Sequence, residues 1–200
     1  VWDGANDALT NEMQYNYSTT AIIDSIASSD NGDTQAVEIQ GLDADYALTL
    51  QTVILTGQTR AALTTNLIRV FRMTNVGSVD LAGNAYCYED TALTAGVPID
   101  STKVRAIILD GANQTGMAVY TVPAGKTGYL RQWFASSAGA KKTTNYLMKL
   151  RARPLGQVFQ LKQSVAVADD APYSYSFVEP EVLVEKTDIE MTAAASTWFS

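Results

Sequence analysis

Four groups of residues in this chain have types and spacings that could do chemistry. Ala124-Gly125-Lys126-Thr127 ends like a phosphate-binding loop. Such a loop needs a glycine five residues before Gly125 and a helix after the lysine, so that the helix N-terminus faces the phosphates. Position 120 is Tyr, and the residues after Thr127 alternate as a strand, so the reading here is a hairpin turn. Asp30-Asn31-Gly32-Asp33 has calcium-loop residue types but lacks the twelve-residue frame and its terminal glutamate. It reads as a plain β-turn. Glu179, Glu181 and Glu185 could act as paired carboxylates only if two of them faced each other across a cleft. Glu181 and Glu185 are expected on one strand face, solvated or between subunits. Cys87 lies between Tyr86 and Tyr88 with no histidine anywhere to activate it, so it reads as a buried core thiol.

Composition narrows the classes further. The 200 residues include no His and one Cys, which excludes Ser-His-Asp triads, Cys-His dyads, an internal disulfide and almost every zinc site. Fourteen Lys and Arg against 21 Asp and Glu leave a net charge of −7. An acidic chain without a basic block is poorly suited to gripping phosphate backbones or an anionic membrane. Arg69, Arg72, Arg131, Lys149, Arg151 and Arg153 are scattered over predicted strands and are expected to pair with acidic neighbours. No stretch approaches the roughly 18–20 apolar residues that span a bilayer, and no secretory leader is read at the start. The three Trp and ten Tyr could build sugar platforms, but core and interface anchoring is their commoner use. Tyr129 and Trp133, read on one strand face, are the best platform pair. The residues therefore predict no catalytic, cofactor or metal site, and a protein that is not an enzyme.

The elements that carry these residues have a period of two. Thr (22 residues) joins Val, Ile, Tyr and Phe in runs that suit a pleated surface, while the 27 Ala are scattered off helical spacing. Strands are expected at 20–27, 35–40, 47–55, 65–74, 85–89, 104–109, 116–122, 127–136, 143–153, 157–167, 173–178, 181–185 and 187–193. Within 35–40, Val37 and Ile39 face one way and Glu38 and Gln40 the other. Residues 59–66 are read as one helical turn, and 75–103 as the least patterned stretch. This rhythm of strands and turns predicts an all-β, antiparallel sandwich, with a jelly roll or barrel sharing the same pattern. The reading is one domain from 19 to 200, preceded by an N-terminal arm at 1–18.

Three stretches carry a resemblance. Val37-Glu38-Ile39-Gln40-Gly41-Leu42-Asp43-Ala44-Asp45-Tyr46 runs into Leu50-Gln51-Thr52-Val53-Ile54-Leu55-Thr56-Gly57 and Ile68-Arg69-Val70-Phe71-Arg72. Met117-Ala118-Val119-Tyr120-Thr121-Val122-Pro123-Ala124-Gly125-Lys126-Thr127 follows, and then Glu185-Lys186-Thr187-Asp188-Ile189. Together, over residues 35–190, they resemble β-rich virion structural proteins of tailed bacteriophages, particularly marine and cyanobacterial ones. The resemblance implies a capsid decoration, or cement, protein on the outer surface of the head, made in the bacterial host cytoplasm. Its implied partners are the major capsid protein and copies of itself in a homotrimer, with no nucleic acid, membrane or cofactor. The alternatives are a neck, tail or fibre-attachment component, or a carbohydrate-binding module contacting host glycans.

Overall fold

The computed structural model describes residues 15–136, 145–167 and 172–196. The chain is all-β, and its sheets are antiparallel throughout. Contacts within it gather into two compact units, divided between Met117 and Ala118.

The first unit contains β1 (Ile23–Ser28), β2 (Ala36–Leu42), β3 (Leu48–Ile54), β4 (Ala61–Leu67), β5 (Arg69–Asn75), β6 (Ala85–Glu89), the small hairpin β7 (Leu93–Thr94) and β8 (Val97–Pro98), and β9 (Val104–Ile108). One sheet has the order β4-β1-β6-β9 and the other β3-β2-β5. Strand β3 lies beside β4, and β5 beside β9. At the first of these seams the Gln51 side chain takes the place of a ladder, bonding Thr65 N and Thr65 O at 3.0 and 2.9 Å. The core draws on both sheets: Ile23, Ile26, Leu67, Cys87 and Ile108 from one, Val37, Ile39, Leu42, Val70 and Met73 from the other. Strand β2 alternates as its sequence predicts, with Val37 and Ile39 buried and Glu38 and Gln40 half-buried on the outer side.

Residues 59–66 form no helical turn. Most of them belong to β4, which pairs with β1 through Ala62–Ser25 and Leu67–Ile23. Leu63 and Leu67 are spaced for a helix face and equally for one face of a strand. Pairing with β1, which a local window does not contain, decides between the two.

Residues 15–18, the described part of the expected arm, are seated in this unit. Tyr15 and Ser18 are buried. Arg69 Nη1 donates to Ser18 O at 2.6 Å, and the Arg69 guanidinium lies over the rings of Tyr17 and Tyr46. Arg105 Nε donates to Ser18 Oγ at 3.1 Å, and Ser18 Oγ donates to Glu89 Oε1 at 2.7 Å. Residues 1–14 lie outside the described residues.

The second unit contains β10 (Val119–Thr121), β11 (Gly128–Ala135), β12 (Asn145–Arg153), β13 (Gln160–Val167), β14 (Tyr173–Leu183) and β15 (Asp188–Ser196). Its sheets have the orders β10-β15-β12-β13 and β11-β14. Trp133, Ala135, Met148, Leu150 and Val167 form its main core, with Phe177, Ile189 and Met191 packed against it. The two strands expected at 173–178 and 181–185 are one. The ladder with β11 passes from Gln132–Ser176 to Leu130–Glu181, so residues 177–180 bulge out around Pro180, which has no N–H to give. The last strand, β15, is an interior strand of its sheet, between β10 and β12.

Candidate interaction surface

The Pro123–Lys126 segment is a tight turn, closed by Lys126 N donating to Pro123 O at 3.2 Å, with Gly125 at φ 69°. It is not a hairpin turn: β10 pairs with β15 and β11 with β14, so the turn carries the chain from one sheet to the other. A strand follows the lysine, and Gly125 N donates to the Glu185 carboxylate at 2.6 Å. The amide that a phosphate would seek already holds an anion.

Asp30–Asp33 is a turn, held by Gly32 N donating to Asp30 Oδ1 at 2.7 Å. Asp33 itself is buried. Its carboxylate accepts from Ser28 Oγ at 2.5 Å, Ala82 N at 2.9 Å and Gly83 N at 3.1 Å. Nearby, Gly96 at φ 76° brings the β7–β8 hairpin so close that a Cβ there would lie 1.8 Å from Ser28 O. Asp33 is thus a fastener joining the ends of β1 and β6. Among the described residues no three His, Cys, Asp or Glu side chains are grouped to hold a metal ion.

The C-terminal glutamates do not converge. Glu181 pairs with Lys162 at 2.6 Å, Glu185 binds the Gly125 amide, and Glu179 is exposed in the bulge. They share no strand face, because β14 ends at Leu183 and the bulge changes the phase before it.

Cys87 is fully buried, and burial pushes its thiol up to about 12. Burial raises the Tyr15 phenol to about 12 as well. Both groups favour the neutral form in the folded state. Below about pH 9 each is protonated whether folded or unfolded, and their contribution is constant. Above that pH the unfolded chain releases protons that the folded chain keeps, so stability should fall until about pH 12. Urea midpoints measured across this range should decline, and the decline should be shallower in Cys87→Ala. A midpoint flat from neutral pH to pH 11 would contradict this.

The aromatic pair also separates. Tyr129 is 64% exposed and Trp133 3%. Arg131 and Gln132 both face outward where the β11–β14 ladder shifts, so strict alternation fails between the two aromatics. Trp133 Nε1 donates inward to Gln163 Oε1. Two of the scattered cations have acidic partners, both in the second unit: Arg151 pairs with Glu190 and Arg153 with Asp188, each at 2.6 Å, with Phe159 lying against both guanidinium groups. Arg72 and Arg131 are exposed. The buried Arg105–Glu89 pair escapes sequence reading, since nothing local marks either residue as internal.

Apolar side chains remain on the outer faces. On β3, Leu48, Leu50 and Ile54 are 55–61% exposed and follow one another along one side of the strand. On the sheet of β11 and β14, Tyr129 faces Val182 across the ladder, and both are exposed. Phe134 and Val178 are exposed in the same sheet, Val178 at the tip of the bulge. Comparison with known protein families, curated proteins and solved structures finds no match. The surface must therefore be read from its own chemistry.

Proposed function

We propose that this chain is a structural protein of a tailed-phage particle, a decoration protein that binds the outside of the assembled head and stabilises it. The reading rests on the resemblance over residues 35–190 and on the all-β build. The observation that carries it is the row of Leu48, Leu50 and Ile54 along the outer side of β3. Exposed aliphatics in line on a strand are a liability unless a neighbour covers them. The same face offers Gln40 beside Leu50, and Arg72 beyond it, as polar rim. A ligand that binds only the assembled lattice stabilises that lattice by mass action. Trimeric clustering on the capsid would multiply weak contacts through effective concentration. An interface of about 1,600 Å² per contact suffices without extreme affinity.

The test uses purified capsid shells lacking this chain. Wild-type protein should bind saturably, with a copy number near that of the major capsid protein, and raise the temperature at which the shells disassemble. The triple variant Leu48→Ser, Leu50→Ser, Ile54→Ser should fold and lose most of this occupancy. A variant lacking residues 1–14 tests the arm while leaving the seated residues 15–18 in place. A dozen or fewer copies per particle would move the assignment to the neck or tail, and no binding would overturn it.

A further inference from the structure

The sheet of β11 and β14 has only these two strands, so each strand has one open edge. In an antiparallel pair about half of each strand's backbone N–H and C=O groups point away from the partner. Strands of eight and eleven residues present such rows here. A bare edge of that length is a template for another strand.

Three cross-strand pairs lie on the outer face of this sheet: Tyr129 with Val182, Gln132 with Ser176, and Phe134 with Ser174. All of these residues are exposed, Phe134 by 75%. In each pair a larger side chain stands beside a smaller one. Gln132 Nε2 donates to Ser174 Oγ at 2.8 Å and ties two of the pairs together.

The ladder breaks between Leu130–Glu181 and Gln132–Ser176. Arg131 stands in the break on β11 and Glu179 in the break on β14, so the two lie at one height along the strands. Both are exposed. Among the described residues neither has an ion-pair partner, Glu181 being the glutamate that Lys162 holds. The β11 strand thus carries a spare cation and the β14 strand a spare anion.

We propose that this sheet is a contact between copies of the chain: the β11 edge of one copy meets the β14 edge of the next around a three-fold axis along the strands, and Arg131 pairs with Glu179 across each contact. Rotation about such an axis preserves both height and strand direction. Each Arg131 therefore meets a Glu179 at its own level, and each new strand pair is antiparallel, as β11–β14 already is. The new ladders form on either side of the bulge, where Pro180 has no N–H to give. Six strands then close on one another and leave no edge bare. The outer faces turn toward the axis, and each level holds three larger and three smaller side chains, a filling suited to a narrow barrel. A two-fold pairing of β14 with β14, centred on the bulge, would instead set like charges against each other and leave Arg131 unmatched. That the ring has three members rests on the trimeric clustering proposed above; the matching of the two edges does not.

Sedimentation equilibrium of the purified chain tests this. The wild-type chain should be a trimer at micromolar concentration. Arg131→Glu and Glu179→Arg each put three like-charge contacts in place of three ion pairs. Each should raise the concentration of half-assembly about a hundredfold. The double variant Arg131→Glu, Glu179→Arg should return to the trimer. An equimolar mixture of the two single variants should recover only in part, because a ring of three cannot alternate two kinds of subunit and keeps one like-charge contact. A wild-type chain that stays monomeric, an even-numbered assembly, single variants that assemble as wild type does, or a double variant as weak as the singles would overturn the proposal. Failure here with intact capsid occupancy would leave the decoration role standing, and a charge-dependent trimer that binds no capsid would remove that role alone.

Discussion

Asp33→Ala should cost the first unit about 4 kcal/mol, enough to unfold a marginal domain. The substitution removes a carboxylate and leaves three donors, Ser28 Oγ, Ala82 N and Gly83 N, inside the protein. The two backbone amides have fixed directions, whereas the serine hydroxyl can turn elsewhere. Each stranded buried donor costs about 1–3 kcal/mol, and the terms do not simply add. Asp33→Asn separates charge from geometry. Its carbonyl oxygen can still accept from Ala82 N, but its NH₂ group then confronts Gly83 N, and roughly half the loss should remain. Urea denaturation of the two variants measures this. An Asp33→Ala midpoint within error of wild type would show that the fastener at the ends of β1 and β6 holds nothing.

Glu89→Ala should be comparably damaging, at about 3–5 kcal/mol, for an electrostatic reason. Arg105 is 5% exposed, and Glu89 is the acid paired with it. Removing the glutamate leaves a buried guanidinium held only by neutral oxygens, those of Thr102, Val104 and Ser18. It also takes away the acceptor of the Ser18 hydroxyl, so the seat of residues 15–18 should loosen first. Hydrogen exchange at the amides of 16–18 should quicken before global unfolding. The double variant Glu89→Leu, Arg105→Met removes both charges and should recover part of the loss, since a buried ion pair is often no better than an apolar pair of similar volume. A double variant as unstable as Glu89→Ala would count against the uncompensated charge as the cause.

These two sites show where local reading stops. Asp33 looks like a turn residue, and Asp30-Asn31-Gly32 does form the turn. What makes Asp33 matter is the return of the chain at Ala82 and Gly83, about fifty residues later. Glu89 and Arg105 have the same character: charges are read as exposed until two of them meet inside. The Tyr129–Trp133 platform failed for a related reason. Alternation along β11 is a property of a regular ladder, and a bulge in the pairing with β14 is invisible in either strand alone.

What the sequence determined by itself was the class: all-β, antiparallel, with turns at Asn31-Gly32 and Ala124-Gly125 and a buried thiol at Cys87. These follow from side-chain period, β-branching and backbone preferences, each expressed within a few residues. Tertiary structure alone decided which strands pair, that residues 59–66 extend instead of coiling, and that the C-terminal glutamates go to separate partners. Those outcomes depend on hydrogen-bond ladders and desolvated charges between segments far apart in the chain, and no local window contains both halves of such an interaction.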